Sequence, residues 1–188
     1  MPKIIGLCGC SGSGKTTLVN QLGSTLDGTT LFWDDFDDIS QAPDDYLAWY
    51  ESGQDYSAWH YDDLAQVLQS LKQGHEIICP ATKVNLKPTS YIIVDAPLGR
   101  KHHNTGQHLD LVVFIDTPLD ISLARRLIRD YRSHDKSKKL LLEELELYLN
   151  HTRKLFLMDG VKKSADFVVN GALSLEDQTK AILDQLKS

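Results

Sequence analysis

The sequence predicts an α/β fold, a doubly wound parallel sheet with helices on both faces. Three observations predict it. Five short, nearly continuous apolar runs recur along the 188 residues, each bounded by turn residues. Such runs are strands buried on both faces of a parallel sheet. Patterns of helical period separate them, and a glycine-rich loop joins the first run to the first helical pattern.

The elements follow in order. Residues 4–8 form the first run, and Leu18, Leu22 and Leu26 mark the first helix. The second run covers 30–33. Leu64, Val67, Leu68 and Leu71 mark a second helix, closed by Gly74. Residues 76–88 read as a small β-hairpin with Asn85 near its turn, a reading that Pro80 weakens. Runs at 91–94 and 111–115 are the third and fourth strands. Helices are predicted over 121–131 and 140–157, a fifth strand over 167–169 and a terminal helix over 175–186. With no repeat, low-complexity tract or linker, one domain is expected to span 1–188.

Composition narrows the function. Lys and Arg number 20 against 26 Asp and Glu, a net charge of −6, and 41% of residues are hydrophobic. That balance is globular, and its acidity disfavours nonspecific nucleic-acid binding. No apolar run approaches the ~20 residues of a membrane span, and the run at 4–8 is too short for a signal segment. Cys8, Cys10 and Cys79 are odd in number and lack metal-ligand spacing, which fits a reducing compartment. A cytoplasmic location is expected.

The loop Gly9-Cys10-Ser11-Gly12-Ser13-Gly14-Lys15-Thr16 matches G-x-x-x-x-G-K-[ST] between a strand and a helix, where a phosphate loop belongs. Glycines let backbone N–H groups wrap an anion, and the helix N-terminus adds a favourable dipole. Lys15 would supply charge to the β/γ-phosphates of a nucleotide, and the Thr16 hydroxyl would ligate Mg²⁺. This makes the fold a P-loop NTPase-type sheet, with ATP and Mg as its expected cofactors.

Phosphoryl transfer to a hydroxyl also needs a carboxylate. Asp34 and Asp35 follow the second strand, and Asp34 is the first candidate for the base, with a solvated loop or helix cap as the other reading. Asp95 and Asp116 each end a strand, where a carboxylate would serve Mg²⁺. Asp116-Thr117-Pro118 also reads as a helix start, so Asp95 is taken as the metal residue and Asp116 as structural.

Charge and aromatic rings are unevenly spread. Residues 34–63 hold ten acids and no Lys or Arg, leaving the remainder with 20 bases against 16 acids. Nine of the fifteen aromatics, Trp33 and both other tryptophans included, fall within 32–61. Two readings are open. The segment is a satellite core under a long loop, or it is an acceptor pocket offering stacking faces and carboxylates, suited to a cationic ring. Arg125, Arg126, Arg129 and Arg132 lie on one predicted helix, with Arg125, Arg129 and Arg132 on one face. That helix runs into the polar stretch 133–139. The pair is either a solvated face or a lid of about 125–145 whose arginines stabilise transferred charge. His102 and His103 are assigned to a surface loop, and His60 to packing.

With these residues in view, the chain resembles the uridine kinase, nicotinamide riboside kinase and phosphoribulokinase group of P-loop kinases over most of its length. Gly9 to Thr17 matches the phosphate loop, adding Thr17 to the nucleotide contacts. Asp34-Asp35-Phe36 resembles the "QDDF" or "QDSF" segment whose first Asp is the base. Residues 111–118 followed by Arg125-Arg126-Leu127-Ile128-Arg129-Asp130 are very like uridine kinases, which implies roles for Arg126 and Arg129 at acceptor and phosphates. Lys162-Lys163-Ser164-Ala165-Asp166 resembles "KKYAD", after which the family's chain passes the adenine, implying Asn170 and Gly171. Asp62 falls near the family's ribose-binding Asp, and Asp63 fits equally. Two departures stand out. Asp95-Ala96-Pro97 replaces the usual Glu-Gly, and the hairpin lacks the Tyr and His that read uracil, which weighs against uridine.

The resemblance implies a small-molecule kinase acting on a riboside-like hydroxyl, with no nucleic-acid or membrane partner. A nucleotide or coenzyme-precursor kinase is the alternative of the same class. A nucleotide-dependent regulatory protein is the alternative from another class.

Overall fold

The computed structural model describes residues 1–132 and 136–187. In chain order, β1 (Lys3–Cys8) leads through the phosphate loop into α1 (Lys15–Leu26) and β2 (Thr29–Leu31). A 3-10 segment (Trp33–Ile39), α2 (Tyr46–Glu51) and a 3-10 turn (Tyr56–Ala58) then precede α3 (Asp62–Lys72). The hairpin strands β3 (Ile77–Ile78) and β4 (Asn85–Leu86) follow, then β5 (Tyr91–Asp95), a 3-10 turn (Gly99–Lys101), α4 (His103–Gly106) and β6 (Leu111–Asp116). The chain continues with α5 (Leu119–Arg132), α6 (Lys138–Asn150), a 3-10 segment (Thr152–Phe156), α7 (Asp159–Lys163), β7 (Phe167–Asn170) and α8 (Leu175–Lys187).

The main sheet has five strands in the order β2-β5-β1-β6-β7, all parallel. Its centre is β1, flanked through Gly6↔Val94 and Gly6↔Val112. Because strand side chains alternate, β1 feeds two cores. Ile5 and Leu7 pack with Ile93, Val113, Leu18, Leu22 and Ile182 on the α1/α8 face. Ile4 and Cys8 pack with Ile92, Val112, Phe114, Leu64 and Leu68 on the α3 face. Each fully buried Leu or Ile contributes roughly 1.5–3 kcal/mol, so this double burial is what holds the sheet and the loop above it.

Two sequence expectations need correction. The second run ends as a strand at Leu31, and Trp33 already belongs to the 3-10 segment, because β2 is an edge strand paired only with β5. The predicted helix over 140–157 is two elements. Ser137 accepts Leu140 N–H to start α6, and His151, at φ −133°, breaks it before the 3-10 segment. The hairpin forms as expected, with Asn85 opening β4 opposite Ile78, next to the turn. The turn carries Pro80 and Lys83 (φ 61°), with Cys79 N–H donating to Val84 O. A proline is tolerated there because the turn makes no ladder bonds.

Candidate active site

The loop after β1 turns at Gly9 (φ 146°), Gly12 (φ 83°) and Gly14 (φ 103°), each left-handed. Gly14 caps α1 with no side-chain acceptor, and α1 has no acid in its first turn. The first N–H groups of the helix are thus left for an anion. Lys15 Nζ folds back to Cys10 O at 3.2 Å, above the loop. Thr16 and Thr17 follow it, both exposed. Ser13 is buried, and its hydroxyl has no partner among the described residues. Cys8 lies beneath, its thiol donating to Val113 O and pushed by burial up to about 12, so it is an inert core residue.

Asp95 ends β5 beside this loop and is only 4% exposed. Its Oδ1 has no partner among the described residues. Burial pushes its carboxyl from 3.8 up to about 6, with Lys15 opposing the shift and the Asp34 charge adding to it. Asp34 sits in the first turn of the 3-10 segment after β2 and is exposed. The same Asp34 charge acts on Arg129. Lys15, Asp34, Asp95 and Arg129, from four separate stretches of sequence, therefore share one electrostatic neighbourhood. Asp116 does not join them, because its carboxylate pairs with Lys162 at 2.7 Å.

The Asp95 shift has a measurable consequence. The unfolded chain releases this proton near 3.8 and the folded chain near 6, so the folded state holds more protons between those values. Stability contributed at this site is present below about 4 and lost as pH rises to about 6. Asp95→Asn removes the charge. Without nucleotide, the variant is expected to be more stable than the parent at pH 8 by up to about 3 kcal/mol, and not at pH 4. Denaturant titrations at the two pH values check it.

The residues present fit a divalent cation. Hard cations take oxygen ligands, and the exposed Thr16 hydroxyl and the orphaned, buried Asp95 oxygen are of that kind.

The α5 arginines point three ways. Arg125 Nη1 donates to Gly171 O at 3.2 Å and lies 3.5 Å from Ser13 O, tying the loop to the turn after β7. Arg126 pairs with Glu144 of α6 at 2.8 Å. Arg129 Nε donates to Asp130 at 2.7 Å and faces the field of Asp34. Of the two expected arginines, Arg129 feels the Asp34 charge while bonded to Asp130, whereas Arg126 is held by the second helix of the pair. Residues 133–135, part of the predicted polar lid stretch, lie outside the described residues. Asn170 ends β7 opposite Asp116, and its side chain accepts Ala172 N–H at 2.9 Å. Gly171 is buried, its carbonyl accepting from Arg125, so this turn borders the phosphate loop.

The aromatic segment is no satellite: Trp33, Phe36 and Tyr61 join the α3-face core itself, with Tyr56 and Trp59 packed against it. Trp33 is 4% exposed, stacks on Tyr61 at 3.8 Å and meets Trp59 and His102 edge-on. It is a wall, with no stacking face open to solvent. Tyr46 is the half-exposed ring, stacked on Trp59 at 5.2 Å. Burial, then the charges of Asp37 and Asp34, raise its hydroxyl, so Tyr46 is the ring beside the acids. Tyr61 donates to Asp37 at 2.6 Å.

His102 is buried, not a surface loop residue. One ring nitrogen bonds Thr105 Oγ1 at 2.8 Å and the other bonds Trp59 O at 2.9 Å. Burial lowers its basicity, which keeps the ring neutral as a latch on the aromatic segment. His103 is exposed as expected, while His60 is exposed rather than packed. His60, Ser40, Gln41, Asp62 and Asp63 line a cavity of about 340 Å³. Asp62, in the first turn of α3, accepts a hydrogen bond from Asn104 of α4. Sequence reasoning groups Arg125 with the helix arginines and Tyr46 with the aromatic segment, whereas Asn104, bonded to Asp62, carries no signal in it.

Parallel sheets wound in this order around a phosphate loop are the scaffold of P-loop kinases, and solved kinases of that class share it. The putative fructose transport system kinase from Silicibacter aligns with TM-score 0.62 at 15% identity, over 89% of both chains. Shikimate kinase from Acinetobacter baumannii aligns with TM-score 0.53 at 14% identity, over 100% of this chain and 94% of that one. The sequence narrows the class. The model of the Phosphoribulokinase / Uridine kinase family matches residues 4–171, and the chain belongs to that family.

Curated relatives include the uridine kinase of Borrelia duttonii, 30% identical over 90% of this chain and 86% of its own. The uridine kinase of Staphylococcus haemolyticus is 28% identical over 88% and 86%. The protein is a small-molecule kinase, a nucleotide-using phosphotransferase with a hydroxyl group as acceptor.

Proposed function

We propose that the protein transfers the γ-phosphoryl group of Mg·ATP to a hydroxyl of a riboside or similar polyol. The carrying observation is the electrostatic coupling of Asp34 with Asp95 and Arg129, and of Asp95 with Lys15. It supports a reading with Asp34 as base, Asp95 as metal carboxylate, and Lys15 and Arg129 as the cations that meet phosphate charge.

In this reading the loop N–H groups, Lys15 and Thr17 hold the phosphates, while Thr16 and Asp95 hold Mg²⁺. When bound, the cation neutralises phosphate charge. Asp34 accepts the proton of the acceptor hydroxyl as the hydroxyl oxygen bonds to the γ-phosphorus, whose bond to the β,γ-bridging oxygen breaks so that ADP leaves. Arg129 faces the charge that spreads over the transferring oxygens, and Arg126 joins it from the helix pair. Asn170 and Gly171 border the adenine, with Gly171 tied to Arg125 through its carbonyl. The acceptor lies along the acidic segment, where Asp62, which lines the cavity of about 340 Å³, takes the ribose hydroxyls. Trp33 supports that wall from within.

The ring of the acceptor is the open choice. The relatives above are uridine kinases, but the hairpin from Ile78 to Lys87 holds neither Tyr nor His. Tyr46 beside Asp34 and Asp37 favours a ring of positive character. Among the described residues no helix is long and apolar enough to cross a membrane. The acceptor is sought among small polar metabolites.

The test is ADP release with Mg·ATP against nucleosides, nicotinamide riboside, pantothenate and sugar phosphates. A riboside is expected to raise turnover well above background, with a cationic ring preferred over uridine. Turnover with pantothenate or sugar phosphates alone overturns the riboside reading. Nucleotide binding with no acceptor-dependent turnover favours a regulatory protein.

A further inference from the structure

The helix pair α5–α6 contains a carboxylate, Glu144, to which the reaction above assigns no role, paired with an arginine that has one. Arg126 Nη1 lies 2.8 Å from Glu144 Oε1, and the two side chains are only 17% and 24% exposed. The other oxygen of Glu144 accepts the Tyr131 hydroxyl at 2.9 Å. Both oxygens are thus engaged, and the carboxylate is fixed by two residues of α5. The Arg126 guanidinium lies 5.2 Å from the centre of the Phe156 ring and 6.0 Å from that of Tyr148.

One donor is left over. Arg126 Nε is buried and has no partner among the described residues. A guanidinium presents five N–H donors in a rigid fork suited to carboxylate and phosphate oxygens. Here Glu144 takes one arm while a buried N–H of a cation goes unanswered. The neighbours of Arg126 on α5 are already at the site, Arg125 against the loop carbonyl of Ser13 and Arg129 in the field of Asp34. A carboxylate on α6 therefore holds back the arginine that lies between two site arginines, and leaves it short of an anionic oxygen.

We infer that Glu144 is a positioning residue that stores Arg126 on α6 in the nucleotide-free protein. Phosphate oxygens of the bound nucleotide compete with it for the guanidinium. This rests on the nucleotide site proposed above, not on the identity of the acceptor. Competition of this kind lowers apparent affinity, because part of the binding energy is spent on releasing Arg126. Glu144 would thus set how tightly the site grips its nucleotide, and how readily product leaves.

The test is titration of the intact protein with the magnesium complex of β,γ-imido-ATP, with thermal melting of each variant. Glu144→Gln keeps the shape and removes the charge, and is expected to tighten binding about five-fold. Glu144→Asp withdraws the carboxylate by one methylene and should shift affinity the same way by less, which covers a Gln variant that does not fold. Arg126→Met should weaken binding, and in that background Glu144→Gln should have no further effect. That dependence separates storage of Arg126 from mere lid packing or bulk charge. An affinity within about two-fold of the parent, or an equal change in both backgrounds, overturns the inference. Lys15→Ala should abolish binding. A parent protein that binds no analogue overturns the nucleotide reading and this inference together, whereas failure of the acceptor panel touches only the riboside reading.

Discussion

Replacing Asp34 by Asn is expected to lower kcat by about 10²–10⁴-fold while leaving nucleotide affinity nearly unchanged. The substitution keeps the shape and removes the proton acceptor. Asp34 is itself exposed in the first turn of the 3-10 segment, so no core contact is lost with it. Its charge reaches both Asp95 and Arg129, so the variant should also ease the ionisation of Asp95. Steady-state kinetics with the best acceptor of the panel, beside titration with the non-hydrolysable analogue, separates the two quantities. A loss of less than about ten-fold in kcat would remove Asp34 from the role of base.

The second large effect is structural. Gly12 has φ 83°, and a Cβ there would come 2.2 Å from Ser122 O and 3.0 Å from Ser122 C, both backbone atoms of α5. Ser122 is itself buried, so α5 can yield only by moving as a unit. Gly12→Ala combines left-handed strain with a backbone overlap and is expected to cost about 2–5 kcal/mol. For a chain of this length that is a fall in Tm of roughly 5–15 °C. Nucleotide affinity should fall as well, because the displaced loop no longer directs its N–H groups at one point. Scanning calorimetry with and without the analogue checks both. An unchanged melting temperature would mean that the seam between loop and α5 is looser than its geometry.

Much of this site is legible in the sequence because local chemistry marks it. A glycine loop between an apolar strand and a helix announces Lys15 and Thr16, and a carboxylate at a strand end announces Asp95. Asp34 is legible from its place after the second strand. The remainder depends on contacts between distant segments. His102 carries no periodic signal, and only the fold brings Trp59 O, 43 positions away, within reach of its ring. Asn104 meets Asp62 for the same reason, through the packing of α4 on α3.

The arginines teach a different lesson. Helical geometry alone puts Arg125 and Arg129 on one face, and these are the two that reach the loop and the acids. The family pattern directs attention to Arg126, which this structure pairs with Glu144. The aromatic segment had two readings, and burial assigns Trp33 to the core because its ring packs on Tyr61 and His102. Tyr46, half exposed, keeps the second reading in play. The helix over 140–157 was over-extended because its leucines continue in period past the break at His151.

The central claim is that this site moves a phosphoryl group onto a hydroxyl rather than onto water. Phosphorus-31 NMR of the protein with Mg·ATP and the acceptor panel tests it most directly, by following where the γ-phosphorus goes. The account predicts a phosphomonoester resonance that grows with ADP in the presence of a riboside and is absent with Asp34→Asn. Inorganic phosphate as the sole product, or unchanged ATP beside every acceptor, would contradict it.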